Sequence, residues 1–445
     1  MQDKTVLDVH PITKEEYAAF AAGKDYNMYQ HPKFIQFMED RGFKPKIYGG
    51  FENGRLVIAM IVRIDPLMKL FKSARALREW ISDTPADPEL IKAFIHGLVP
   101  LLKQEGAVWL KLESGVEYQQ RDAEGNVVTD GFNNESYRQL LAQTGFHPEE
   151  LWTNGLDMTH QARWVSVLDL VERETPEDGM MHTSEFMKNQ PGIRHKSVGD
   201  VFKGFSMKIP RHIREGMQDF IVVRELEMDE MEIMHKLEEA SAEVHDFQAP
   251  DLATYQAWKK AFGDDCTVVA SFLDTNRYRD YLDRELSKGQ ADLEQAHAEL
   301  AEVPGSKKRK NKVNSVLEHL RPVEKRAREL DELVREYGEM IPLAGGLFVI
   351  TPAETIYLFG GSIRSLSQFF GPQAVQFEMI RRSIERGALR YNFWGISGKF
   401  RPDEEGYGVY KYKKEFGAHV VEYAGEFTMV LRPAVARLTR LNERK

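Results

Sequence analysis

The sequence predicts an α+β fold carrying an inserted helical arm, and three features of its patterning say so. Strand-like segments alternate with amphipathic helical ones across both halves of the 445-residue chain. Between Asn276 and Met340 two apolar heptad repeats run in succession, the pattern of a coiled coil. Pro304-Gly305-Ser306 parts them, so the second repeat must double back on the first as an antiparallel hairpin.

In the first half, Glu15–Phe20 and Phe34–Met38 read as helices. Tyr48–Phe51 and Leu56–Ile64 read as strands joined by the turn Glu52-Asn53-Gly54-Arg55. Pro88–Gln104 is an amphipathic helix stopped by Gly106, and Val108–Leu112 alternates as a strand. An antiparallel sheet with helices on it follows. The second half repeats the grammar: strand Trp164–Leu170, basic helix Pro210–Gln218, strand Phe220–Glu225, helix Glu230–Ala242, then strand Val268–Leu273 into the arm. Beyond the arm, Leu343–Ile350 and Thr355–Phe359 form a hairpin. Phe377, Ile380 and Ile384 stripe a helix that ends at Gly387, and Leu389, Tyr391 and Phe393 alternate as a strand. Residues 1–160 are therefore expected to form one unit, and 161–275 with 341–420 a second. Residues 276–340 are the arm, and 421–445 a tail packing back on the first unit.

In the arm, Leu282, Ala296 and Val303 share one heptad position and Leu286, Leu293 and Leu300 the other. After the turn, Val313, Leu320, Ala327 and Val334 pair with Val316, Val323, Leu330 and Tyr337. Gly289 falls at a seam position and is expected to weaken it, and Pro322 to bend the second helix. Each helix should reach about 40 Å. The arm holds 14 Lys/Arg and 14 Asp/Glu, so the rest of the chain carries the whole net charge of −9. That balance argues against a surface that binds nucleic acid everywhere. Five cations crowd the hairpin tip: Lys307, Lys308, Arg309, Lys310 and Lys312. They suit contact with phosphates.

The single cysteine, Cys266, rules out an internal disulfide framework and suits a reducing compartment. The N-terminal residues lack a signal-peptide pattern, and no apolar run nears the ~20 residues of a membrane helix. A cytoplasmic protein is expected. Walker, dinucleotide-binding, H-E-x-x-H and C-x-x-C motifs are missing, and the 13 histidines are scattered, so neither a metal nor a cofactor is expected.

The stretch Tyr357–Gly417 supplies, in order, Gly361-Ser362, Phe369-Phe370-Gly371-Pro372, Tyr391-Asn392-Phe393-Trp394-Gly395-Ile396 and Tyr412-Lys413-Lys414-Glu415-Phe416. This series resembles the Fem/MurM (FemABX) aminoacyltransferases, which build peptidoglycan bridges from aminoacyl-tRNA. Gln30 before an aromatic helix, Trp109-Leu110-Lys111-Leu112 and Gly145-Phe146 also fit, so the resemblance spans nearly the whole chain. It implies two tandem GNAT-like acyltransferase domains with an inserted antiparallel coiled-coil arm, similar to the tRNA-contacting arm of seryl-tRNA synthetase. It implies aminoacyl-tRNA as donor. The acceptor is an amine on the stem peptide or growing bridge of lipid II or UDP-MurNAc-pentapeptide. A lipid-linked acceptor would bring the protein transiently to the inner membrane face through the lipid head group.

By the same resemblance, Lys413 stabilises the oxyanion. Glu113, where the family more often has Asp, is the candidate base. Lys208, Arg211 and Arg214 share one helix face and are expected to meet the precursor's diphosphate, with Lys33 replacing a family cation near Gln30. Phe359, Ser362 and Tyr412 fall in the motif region and are expected to touch substrate, and the tip cations to touch tRNA. Blander readings stay open here: a surface lysine on a strand, a salt-bridged surface glutamate, a solvated basic helix and a solvated hairpin end. Two rivals also stand. An acyl-CoA-dependent N-acyltransferase would need a pyrophosphate loop, and Gln368–Gln373 and Arg335–Met340 each fail that pattern at the last residue. A non-catalytic coiled-coil adaptor would explain the arm but not Tyr391–Phe416.

Overall fold

The computed structural model describes residues 7–68, 70–84, 87–151, 161–174, 192–245 and 248–442. Its body is two eight-stranded sheets. The first half supplies β1 (Asp8–Pro11), β2 (Lys44–Glu52), β3 (Arg55–Met68), β4 (Phe71–Leu77), β5 (Ile81–Ser82) and β6 (Ala107–Glu113), with helices α1 (Lys14–Ala21), α2 (Pro32–Asp40), α3 (Pro88–Gln104) and α4 (Glu135–Gln143). The β2–β3 hairpin turns at Asn53-Gly54, whose φ values of 51° and 78° are the left-handed pair that matches strand twist. At the start of α3, Asp87 accepts from the N–H groups of Glu89 and Leu90, and Pro88 fills the first turn.

The second half supplies β9 (Trp164–Asp169), the small pair β10 (Val171–Arg173) and β11 (Ile193–His195), β12 (Ile221–Glu225), β13 (Cys266–Asp274), β14 (Met340–Ile350), β15 (Glu354–Ser362), β16 (Arg390–Gly395) and β17 (His419–Tyr423). Its helices are α5 (Val198–Lys203), α6 (Ile209–Gly216), α7 (Met231–His245), α8 (Leu252–Phe262), α11 (Gly371–Glu385) and α12 (Tyr407–Glu415), and the arm is α9 (Thr275–Glu302) with α10 (Lys307–Tyr337). The sheets are antiparallel except for one parallel pair each, β4 with β6 and β15 with β16. Sequence patterning alone suggested purely antiparallel pairing.

Neither sheet is built from one contiguous segment. β7 (Glu117–Gln120) leaves the first half to pair with β17 in the second sheet. β18 (Glu426–Val430) returns to lie between β6 and β8 (His147–Pro148) in the first. The two crossings run side by side: Ser114 N–H donates to the Gly425 carbonyl at 3.0 Å, and Ala424 N–H to that of Val116 at 2.9 Å. The halves also share a core in which Tyr17, Phe34 and Met38 pack with Tyr255, Trp258 and Leu347. Phe37 and Trp258 bring α2 onto α8 with ring centroids 4.3 Å apart.

The arm leaves and re-enters between adjacent strands, since Asp274 ends β13 opposite Met340 of β14. Asp274 caps α9 by accepting from the N–H groups of Asn276 and Arg277. Its base is anchored where Phe220, Tyr278, Leu282, Leu330 and Ile341 cluster. Ion pairs Arg279–Asp331 and Lys312–Glu299, both at 2.8 Å, bridge the two antiparallel helices. One expectation for the arm changes. A Cβ on Gly289 would come within 2.3 Å of Leu320 Cδ2, so the glycine lets the helices approach and does not loosen the seam. Pro322 lies inside α10, and the helix continues through it to Tyr337.

Candidate active site

β15 and β16 pair in parallel only at Glu354–Ile356 with Arg390–Asn392, and then part. β15 goes on beside β14, while the pairing of β16 with β9 is irregular between Asn392 and Gly395. Trp394 is left-handed there, with φ of 64°, a strained state for a large side chain. Asn392 holds the bulge from both ends of its amide: Oδ1 accepts from Trp394 N–H at 2.8 Å, and Nδ2 donates to Glu354 Oε2 at 3.2 Å. The Trp394 and Gly395 carbonyls thereby face α12. Lys413 Nζ donates to both, at 3.2 and 2.6 Å.

Lys413 is therefore a buried lysine on a helix, not a surface lysine on a strand. Burial pulls its ammonium down to about 7. An ammonium has three N–H bonds and the bulge takes two, leaving one donor for a developing negative charge. The preceding residue, Tyr412, belongs to an aromatic cluster. The Tyr391 hydroxyl donates to Gln376 Oε1 at 2.6 Å. Burial raises both the Tyr357 and the Tyr412 phenols; Glu238 adds to the rise at Tyr357, and Tyr357 to that at Tyr412. Among the described residues the buried Tyr412 hydroxyl has no hydrogen-bond partner.

The second locus is the crossing point of the exchanged strands. Glu113, the last residue of β6, is 3% exposed and lines a cleft with Arg78, Ser114, Arg163, Tyr423 and Glu426. Its carboxylate oxygens have no hydrogen-bond partner among the described residues, and Arg75 Nη1 stands 3.8 Å away. Burial first, then repulsion from Glu426 directly across the strand pair, push its carboxyl up to about 7. Glu113 is thus a buried glutamate with a long ion pair to Arg75, and not a surface one. Arg78 connects this cleft to the bulge. Its guanidinium donates to the Ser114 and Ala162 carbonyls at 2.6 Å each, lies 4.0 Å from the Tyr423 ring centre and 6.0 Å from that of Trp394.

Other expected site residues have different surroundings. Lys208 stands exposed just before the first turn of α6, and Arg211 pairs with Glu215 at 2.7 Å. Arg214 is exposed on the same outer face, opposite inward-facing Ile209 and Ile213. Phe359 packs edge-on against Tyr255 at 5.7 Å, within the core the two halves share. Ser362 docks α7 through its backbone, its N–H donating to Ser241 Oγ at 2.8 Å. Beside it a Cβ on Gly361 would come within 2.2 Å of the Leu237 carbonyl oxygen, which explains the glycine of the Gly-Ser pair. Lys33 is engaged by Asp265 at 2.5 Å and the Phe262 carbonyl at 2.7 Å, so it ties α2 to the second half and is not left for a phosphate.

At the tip, the five cations divide. Arg309 turns back to the Glu299 carbonyl and to Glu302 Oε2, and Lys312 to Glu299 Oε1. Lys307, Lys308 and Lys310 are exposed and form no ion pair among the described residues. Arg78, Glu426 and the bulge-holding role of Asn392 escaped sequence reading. Asn392 stood inside the quoted motif, whereas nothing near Arg78 or Glu426 marks them.

The FemAB family model matches residues 12–194 and 183–444, two copies covering nearly the whole chain. Aminoacyltransferase FemA of Staphylococcus aureus (strain bovine RF122 / ET3-1) is 28% identical over 98% of both chains, and the protein of the same name from strain N315 matches equally. The crystal structure of FemX superposes with a TM-score of 0.71 over 97% of this chain and 99% of that one, at 19% identity, and so shares the fold. Two family matches in tandem agree with the two-sheet body and with the expected aminoacyltransferase class. The chain belongs to the FemAB family.

Proposed function

We propose that this protein transfers an aminoacyl group from aminoacyl-tRNA to a primary amine of a peptidoglycan precursor, lipid II or UDP-MurNAc-pentapeptide, at the stem peptide or the growing bridge. The observation that carries it is Lys413, buried beneath the parting of β15 and β16 and aimed by two carbonyls of a strained bulge. The acceptor nitrogen attacks the ester carbonyl carbon and a C–N bond forms. Negative charge gathers on the carbonyl oxygen, where the remaining Lys413 N–H meets it. The C–O bond to the ribose then breaks, and the ribose oxygen leaves with a proton while the amine gives one up. Glu113 fits the role of acceptor for that proton, because burial raises a carboxyl into the range useful to a general base. The activated ester supplies the driving force, and the protein's part is positioning and charge stabilisation.

On this reading Tyr412 offers a free hydroxyl to substrate, the outer face of α6 meets the precursor's diphosphate, and Lys307, Lys308 and Lys310 meet tRNA phosphates. Phe359 and Ser362 shape the site from behind through the core and α7. The reaction belongs in the cytoplasm, where charged tRNA resides. Among the described residues no helix is long and apolar enough to cross a membrane. The test is a transfer assay across a panel of charged tRNAs with each precursor. Product with at least one pairing is expected, and no transfer with any would overturn the proposal.

A further inference from the structure

The turn from α5 into α6 exposes an apolar side chain amid cations. Met207 is 97% exposed, the largest exposure among the apolar side chains of the described residues. From Lys203 to Arg214 there are four cations, Lys203, Lys208, Arg211 and Arg214, and no acidic residue, in a chain whose net charge is −9. The outer face is charged because α6 buries Ile209, Ile213 and Gly216 and turns the other positions out. Lys203 is 80% exposed and its one ion pair, to Asp200, lies on its own helix. Met217, just past the far end of α6, is also exposed.

We propose that Met207 and the cations around it form a docking surface for an anionic bilayer, with Met207 entering the head-group layer. This rests on the transfer reading and deepens it, since it makes the lipid-linked precursor the preferred acceptor. Cations alone would suit an RNA backbone equally well; a fully exposed methionine at their centre does not. Apolar side chains inserted among basic ones are how a surface segment holds an anionic membrane. The patch also touches the chemistry. Ser206 N–H donates to the Glu415 carbonyl at 2.8 Å and the rings of Phe205 and Phe416 meet at 5.4 Å, so the docked turn braces the end of the helix that carries Lys413.

The test uses the full chain and vesicles of phosphatidylcholine with or without phosphatidylglycerol. Wild type is expected to sediment with the anionic vesicles only, and salt should release it. Met207→Asp is expected to weaken binding about tenfold and Lys203→Gln about fivefold. Both should leave the melting temperature and transfer to soluble UDP-MurNAc-pentapeptide unchanged, while slowing transfer to lipid II held in vesicles. Wild type that ignores anionic vesicles, or variants that bind them like wild type, would overturn the proposal. So would loss of tRNA binding in the variants with vesicle binding intact, which would mark an RNA surface. If no acceptor is used at all, the transfer reading falls, and sedimentation still decides the docking surface on its own.

Discussion

Lys413 Nζ donates to the Gly395 carbonyl oxygen at 2.6 Å, from helix α12 onto the bulge of β16. The bond fixes where the cation points, and two peptide dipoles face it in a site without water-like screening. Lys413→Met is expected to lower transfer turnover by about 10²–10³-fold, the scale of one oxyanion donor, with tRNA binding unchanged. Single-turnover transfer and a tRNA titration measure both. Undiminished turnover would remove Lys413 from the mechanism.

Glu113 should act as the proton acceptor only when ionised. With its carboxyl near 7 and the Lys413 ammonium also pulled down to about 7, kcat/KM for the acceptor is expected to rise as Glu113 ionises and to fall as Lys413 loses its proton, with a maximum near pH 7. Glu113→Gln should abolish the rising limb and lower the maximum by about 10²–10⁴-fold. A pH profile of the variant that keeps the rising limb would assign it to another group.

Glu238 on α7 is 5% exposed and accepts one hydrogen bond, from the Tyr255 hydroxyl at 2.7 Å. Burial pushes its carboxyl up to about 7, above its value in the unfolded chain. The folded state therefore holds an extra proton between the two values, and stability should decline as pH rises through that window. In Glu238→Gln this contribution to the decline is expected to disappear. Melting curves at pH 5 and pH 8 for both proteins check it; equal pH dependence would refute the assignment.

Replacing Lys307, Lys308 and Lys310 together by alanine should reduce the slope of log K against log salt for tRNA by about 2 to 3. Arg309→Ala should instead loosen the hairpin turn, because Arg309 bonds the end of α9. A tRNA titration at several salt concentrations separates the two roles. An unaltered slope in the triple variant would free the tip of any part in binding.

Gly289→Ala sets two effects against each other. Helix propensity alone predicts a gain of about 1 kcal/mol. The clash with Leu320 predicts a loss of about 1–3 kcal/mol, and the packing term should win. Thermal unfolding gives the sign directly, and a more stable variant would show that the helices can separate at no penalty.

What the sequence made legible was local. The α3 helix could be placed to the residue because Asp87 and Pro88 announce its start in any context. The β2–β3 turn was readable from Asn53-Gly54 for the same reason. Lys413 was singled out by the motif, but its helix was not, since Tyr407–Glu415 has few apolar residues at helical spacing and is held mainly by what surrounds it. Gly289 was misjudged because propensity is a property of one helix, while its role depends on Leu320 of the other. The cleft at Glu113 was invisible for a deeper reason: its walls come from residues near 78, 113, 163 and 425, brought together only by the crossing strands.

That crossing ties the order of synthesis to the order of assembly. β6 is made early, yet the neighbour that completes its edge, β18, lies almost at the end of the chain, and among the described residues β8 has no partner but β18. A ribosome must therefore release nearly the entire polypeptide before the first sheet can close. Severing the protein near residue 160 would give two pieces that each still lack a strand the other holds, so the halves can form a working site only as an interlocked pair.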